Sequence, residues 1–119
     1  MKSANWISLA RTLGCCLIAL ALTACTIGRV NKRVSYWTKE TNAHVLVGTP
    51  IEDAQAYLAS RGLEMHCCTS GFDNEPAITG TERDVGRFFF TEYSVFIVVD
   101  MTPDRRVSRV QVFRIGVGL

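Results

Sequence analysis

Residues 49–62, TPIEDAQAYLASRG, carry the clearest structural signals in the chain and predict one short helix. Thr49 is suited to the N-cap position, Pro50 fits the first helical position, and Glu52 lies three residues after Thr49, as in a capping box. At the other end, Gly62 is suited to the left-handed conformation in which many helices stop. These signals place a helix at about 49–62.

The predicted helix has one apolar face. Ile51, Ala54 and Leu58 recur on it at helical spacing, and Leu63 can fold back on Leu58 where the helix ends. A helix with a single apolar face must bury that face against another layer of structure. The sequence that follows the helix supplies this layer as strands.

Strand-like sequence fills most of the chain after residue 62. Residues 94–100, SVFIVVD, form the strongest strand signal, and the apolar side chains at 95–99 on both faces predict a central strand. Further strands are predicted at 63–68, 77–83, 88–90 and 107–115, with a turn or bulge at 84–86 and a turn at 101–105. The predicted fold class is α+β, with one amphipathic helix (about 49–62) packed on a three- to five-stranded antiparallel sheet.

The start of the chain has the composition of an export signal. Lys2 and Arg11 precede residues 13–22, LGCCLIALAL, which contain no charge. A positive start followed by a short apolar run is typical of a signal peptide. A membrane-spanning helix usually needs about 20 apolar residues, and this run is shorter. An uncleaved membrane anchor is therefore the alternative interpretation and not the first one.

The tetrapeptide LTAC at residues 22–25 follows this apolar run directly and resembles the lipobox of bacterial lipoproteins. The resemblance implies that residues 1–24 are a cleaved signal peptide and that the thiol of Cys25 receives a diacylglyceryl group. Cys25 would then be the acylated N-terminus of the mature protein. Thr26, in place of an acidic residue, implies sorting to the outer membrane facing the periplasm, with the inner membrane as the alternative.

The rest of the chain is electrically balanced. The first 24 residues hold two of the 13 Lys and Arg residues and none of the 11 Asp and Glu residues, so residues 25–119 carry 11 charges of each sign. This balance argues against a nucleic-acid partner, which a strong basic field would attract. Residues 26–43 show no sustained periodicity and are interpreted as a tether. The predicted organisation is therefore a lipidated N-terminus with its tether at 25–43 and a small α+β domain at 44–119.

Only Cys67 and Cys68 remain once the leader and the lipidated Cys25 are set aside. They allow two interpretations, a vicinal disulfide or two packing cysteines without chemistry. We predict no metal site with His66, because neighbouring strand side chains point to opposite faces and His44 is the only other histidine.

The order of these elements resembles that of small outer-membrane lipoproteins of the BamE type. Those proteins also have a lipobox, a flexible tether, a short helix opened by a Gly-Thr or Gly-Met step, and a closing hairpin. The matching stretches here are GTP at residues 48–50 and the predicted hairpin at 95–112. The sequence departs from that family in showing one evident helix instead of two, and RGL at residues 61–63 replaces its Leu-Gly helix end.

No catalytic motif is recognisable in the sequence. It contains no nucleophile elbow, Walker loop or dinucleotide-binding fingerprint, and its carboxylates form no pair of definable separation. We therefore predict a protein that is not an enzyme and needs no cofactor: a membrane-anchored envelope lipoprotein that binds or helps to assemble another envelope protein. The alternative is a tethered inhibitor or immunity protein that blocks an envelope-attacking hydrolase or toxin.

The loop between the first two predicted strands is the candidate partner-binding surface. Phe72 stands there beside Asp73 and Asn74, where no core periodicity accounts for an aromatic side chain. A lone aromatic in a polar loop is a common anchor of protein interfaces, and it also occurs folded back onto the edge of a core. The two predicted interactions are thus with membrane lipid through Cys25 and with a protein through this loop.

Overall fold

Two helices and four strands make up the structure, a computed structural model that describes residues 2–70 and 75–118. The helices are α1 (Lys2–His44) and α2 (Ile51–Ser60), and the strands are β1 (Glu64–Ser70), β2 (Pro76–Phe88), β3 (Thr91–Met101) and β4 (Val107–Gly118). Neighbouring strands pair antiparallel in the order β1-β2-β3-β4. The predicted α+β class is confirmed, and a second, longer helix is added to it.

Helix α2 lies within the predicted range, and its apolar face is confirmed. Ile51, Ala54 and Leu58 are all buried. Gly62 has a φ of 92°, and the Leu63 N–H donates to the Leu58 carbonyl at 3.3 Å, which closes the helix in the Schellman pattern. A side chain with a Cβ would be strained at this φ, so glycine is needed where the chain leaves α2 for β1.

The predicted capping box at the start of α2 is wrong. Pro50 is the N-cap residue, and it makes no side-chain capping hydrogen bond. The preceding residues are instead paired with β4: the Gly48 N–H donates to the Val107 carbonyl, and the Val107 N–H donates to the Thr49 carbonyl, both at 2.8 Å. This long-range backbone pairing, rather than a local cap, sets the path by which the chain enters the helix.

Strand β3 is an interior strand of the sheet, as predicted. Val95, Ile97 and Val99 are fully buried on the face that packs against the helices, and Val98 is 5% exposed on the other face. The alternation of side chains along a strand explains this division into two faces. The core of the molecule therefore lies between β3 and the two helices.

Strands β2 and β3 form a long hairpin that contains a bulge. The pairing register shifts between Glu82 and Gly86, and Asp84 has a φ of 58° there, which confirms the predicted irregularity. Residues 89–90 form the turn of the hairpin, whereas the apolar run at 88–90 predicts a strand. The difference arises because pairing continues to the end of both strands and leaves only two residues to reverse the chain.

Residues 26–43 are helical, so the predicted irregular tether is wrong. They belong to the second half of α1, where Val30, Trp37 and Thr41 lie on one side and are 0%, 1% and 3% exposed. The Thr41 hydroxyl donates to the Trp37 carbonyl at 2.8 Å, which satisfies a polar group within an apolar contact. The described residues thus form two helices beside the sheet, although the sequence makes only one evident.

The first half of α1 presents apolar side chains to the surroundings. The large ones are 57–67% exposed: Leu13, Leu17, Ile18, Leu20 and Leu22. Between Ala10 and His44, α1 contains a window that is long and apolar enough to cross a membrane by length and composition. The first half of α1 therefore exposes its apolar side chains, whereas the second half buries one side against the sheet.

Candidate functional site

Cys25 lies where α1 changes from exposed to buried. Its thiol is free and exposed, Thr26 and Ile27 are half-buried, and Val30 is the first buried residue of the described chain. Every core side chain among the described residues therefore follows Cys25 in sequence. A cut between Ala24 and Cys25 would remove no part of that described core.

Helix α1 runs antiparallel to β2 where the two elements touch. Glu82 of β2 contacts the helix at 33–37, and four residues later Gly86 lies against the helix at 26–30. A Cβ added at Gly86 would lie 2.9 Å from Cγ2 of Val30, so glycine allows the strand to approach the helix closely. The end of β2 and the turn that follows it consequently point towards the N-terminal half of α1.

Glu82 accepts hydrogen bonds from two side chains of α1. Its carboxylate oxygens accept from Nε and Nη2 of Arg33, both at 2.7 Å, and one of them also accepts from the indole N–H of Trp37. Burial by itself raises the pKa of the Glu82 carboxyl, but the hydrogen bonds from Arg33 and Trp37 outweigh it and hold the pKa below its ordinary value. Glu82 therefore fastens α1 to the sheet as an anion.

Glu82→Gln is expected to make folding stability less sensitive to acid. Because the folded pKa of Glu82 lies below its unfolded value, the ionised carboxylate stabilises the protein above about pH 4.3. This contribution is lost as the pH falls through the lower folded pKa. Urea unfolding at a series of pH values should show the variant less stable at neutral pH, with the difference from the natural protein narrowing in acid.

Glu75→Gln is the matched control for this experiment. It removes one carboxylate from an exposed position, so the natural stability and its dependence on pH should be kept. A stability difference between the Glu82→Gln variant and the natural protein that stays constant from neutral to acid pH would contradict the role assigned to Glu82.

A second polar contact fastens α2 to α1. The Tyr57 hydroxyl donates to Oε2 of Glu40, and Nη2 of Arg61 lies 3.8 Å from the same oxygen. The His44 ring stacks on the Tyr57 ring with the centroids 4.7 Å apart. Burial, together with the hydrogen bond to Glu40, raises the pKa of Tyr57. The partly buried Glu40 carboxylate therefore joins α2 to α1, as Glu82 joins α1 to the sheet.

Cys67 and Cys68 lie on β1, an edge strand, and their sulfur atoms are bonded in a vicinal disulfide. The sequence argument that neighbouring strand side chains face opposite ways does not hold at this position. Pairing with β2 shifts between Cys67 and Thr69, and Cys68 has a φ of 80°. Both cysteines are exposed, and next to them Nε2 of His66 lies 3.4 Å from Oε1 of Glu64.

One buried carboxylate that sequence analysis did not identify lies on the sheet face away from the helices. Asp100 is 1% exposed, and its Oδ2 accepts from Nε of Arg109 at 3.0 Å. Its Oδ1, like Oε1 of Gln111, is buried without a hydrogen-bond partner among the described residues. The one hint in the sequence is that an acidic residue ends the apolar run at 94–100.

The predicted partner-binding residues Phe72, Asp73 and Asn74 lie outside the described residues. On either side of them, β1 ends at Ser70 and β2 begins at Pro76, so they belong to the connection between two paired strands. Comparison of the chain with protein-family models, curated proteins and solved structures found no match.

Proposed function

We propose that this protein is a membrane-anchored lipoprotein of the bacterial cell envelope and that its domain is a non-catalytic binding or assembly protein. The observation that carries the proposal is the position of Cys25. This residue ends the exposed apolar stretch of α1 and immediately precedes the packed part of the chain. An exposed apolar segment and a packed domain therefore meet at the cysteine of the LTAC motif.

The exposed apolar half of α1 supports an anchor. Soluble proteins rarely expose contiguous apolar patches of this extent, and such patches usually mark membrane or protein contacts. Large leucine and isoleucine side chains are more than half exposed on this half of the helix, which has no charge between Arg11 and Arg29. Burial of these side chains in a membrane during export would remove them from water.

Acylation of Cys25 would then replace the peptide anchor with a lipid anchor. Each buried CH₂ of an acyl chain contributes about 0.8 kcal/mol, so one chain binds a membrane marginally and two or more bind it durably. Thr26 after the cysteine favours the outer membrane, with the domain in the periplasm. The described core, which begins at Val30, would stay intact after this processing.

Two half-buried carboxylates of the domain already have structural partners. Glu82 is hydrogen-bonded by Arg33 and Trp37, and Glu40 by Tyr57, so both carboxylates are occupied in joining helices to the rest of the fold. Recognition of another envelope protein would then fall to the loops and edges of the sheet, including the connection that carries Phe72.

Fractionation of cells that produce the tagged full-length protein tests the proposal. We expect the protein in the outer-membrane fraction, resistant to high salt and released by detergent, and we expect chemical crosslinking there to join it to a defined envelope protein. The same chain without residues 2–24 is the control and should remain in the cytoplasm. Recovery of the natural protein in the soluble periplasmic or cytoplasmic fraction would contradict the proposal.

A further inference from the structure

The turn between β2 and β3 and the neighbouring end of β4 expose three apolar side chains, which we call the aromatic tip: Phe89, Phe90 and Val117. Phe89 is 76% exposed, Phe90 73% and Val117 56%. Val117 belongs to the tip because its strand, β4, pairs with the start of β3 through Glu92. Exposure of three large apolar groups to water at one end of a small domain is unfavourable, and such patches usually mark a contact with another protein or a membrane.

Phe89 has a backbone conformation that does not favour an aromatic residue in this turn. Phe89 has a φ of 52°, in the left-handed region, where glycine or asparagine fits with less strain. Its ring meets the half-buried Phe88 edge-on, with the centroids 4.5 Å apart, and remains open on its other side. A strained residue with an exposed aromatic side chain is a reason to look for a function.

The position of the tip along α1 follows from the contacts of β2. Gly86 lies against the helix at 26–30, and β2 runs from there towards the N-terminal half of α1. A strand rises about 3.3 Å per residue, so Phe89 lies about 10 Å beyond Gly86. A helix rises about 1.5 Å per residue, so this distance corresponds to about seven helical residues. Counted from residue 28, the middle of that contact, the tip is therefore level with about residue 21, in the last apolar turns of α1 and about 6 Å beyond Cys25.

Basic side chains follow Cys25 along α1, on the side of the domain. Arg29 and Lys32 are exposed on α1 within two turns of Cys25, and neither makes an ion pair with any described residue. Near a strongly anionic membrane surface, basic side chains are attracted to the headgroups. An apolar end followed by a basic belt has the order expected of a surface that enters a bilayer.

We infer that the aromatic tip inserts into the same bilayer that holds Cys25, so that lipid contacts the domain at a second point and fixes its orientation. This inference rests on the proposed anchoring at Cys25, because the anchor is what brings the tip to the membrane. The opposite end of the domain, where Val47 is 76% exposed beside the start of β4, would then point away from the lipid.

Quenching of tryptophan by brominated lipid tests this contact directly. The mature protein, residues 25–119 purified from cells that process it, has buried Trp37 as its one natural tryptophan and is placed in vesicles of phosphatidylethanolamine and phosphatidylglycerol with brominated acyl chains. Phe89→Trp should add a blue-shifted emission that the brominated chains largely quench. Val47→Trp, the matched control, should add an emission that they leave unchanged. Equal quenching at the two positions would overturn the inference.

Flotation of the same vesicles separates this inference from the proposed function. A protein that fails to float with the vesicles contradicts the anchoring itself. A protein that floats, but whose tryptophan at position 89 is not quenched, keeps the anchor and overturns the tip contact.

A second probe covers the case in which tryptophan at position 89 disturbs the turn. Val117→Trp should be quenched in the otherwise natural chain, and the quenching should be lost when Phe89→Gly and Phe90→Ser are added. Since glycine relieves the strain at a positive φ, the added changes should not lower the unfolding midpoint. Quenching at position 117 that persists in this folded variant would overturn the inference.

Discussion

Val99→Asp is expected to abolish the cooperative folding of the domain. Val99 is fully buried on β3 and pairs with Ile78 on one side and Val110 on the other. An aspartate at this position would bury an unpaired charge, which costs about 4 kcal/mol or more. A domain of this size has a total stability of about 5–15 kcal/mol, so this cost removes much of it. Urea unfolding followed by circular dichroism should show a lost or greatly lowered transition.

Val47→Asp is the matched control for that substitution. It makes the same chemical change at a side chain that is 76% exposed, so the unfolding midpoint should stay close to that of the natural protein. A Val99→Asp protein with the natural midpoint would show that β3 is not the interior strand of the sheet.

Cys25→Ser is expected to abolish lipidation and to leave the unprocessed precursor. A serine hydroxyl is a much weaker nucleophile than a thiolate and would not form the thioether on which the lipoprotein pathway depends. Cells supplied with a fatty-acid probe should therefore label the natural protein and not the variant. Because Cys25 is exposed and precedes the described core, the fold should be unaffected.

Cys16→Ser controls for the loss of a thiol from the same helix. Cys16 is also free and exposed, but it lies within the apolar run and not at the end of the LTAC motif. Labelling, processing and membrane retention should all match the natural protein. Unchanged processing and retention in the Cys25→Ser protein would refute lipidation at this residue.

Elements whose signals are local were predictable from the sequence. The stripe of α2 and its stop at Gly62 depend on residues within one or two turns of each other, and both are confirmed. The alternating apolar pattern of β3 is equally local, since each side chain's face follows from its neighbours. The prediction of a capping box is wrong because the backbone of Thr49 pairs with Val107, which is far away in sequence.

The second half of α1 had a weaker signal that was present in the sequence. From Val30 to Val45, the residue that follows the helix, the core-facing positions are spaced by four, three, four and four residues: Val30, Val34, Trp37, Thr41 and Val45. Thr41 interrupts the apolar pattern, and the exposed Lys32 and Lys39 lie between its members, so the stripe is not evident in the sequence. Its burial depends on Gly86, which leaves room for the helix, and on Glu82, which pairs with it.

The sequence by itself determined the α+β class, the helix at α2, the interior strand β3 and the motif that singles out Cys25. Each of these depends on residues close together in the chain, where spacing and side-chain chemistry decide the outcome. Only the tertiary structure decided that 26–43 packs as a helix, that Glu82 is its counterion, and that β2 carries Phe89 to the end of the domain at which Cys25 lies. These properties depend on which surfaces meet after folding, because burial and proximity are set by contacts between distant parts of the chain.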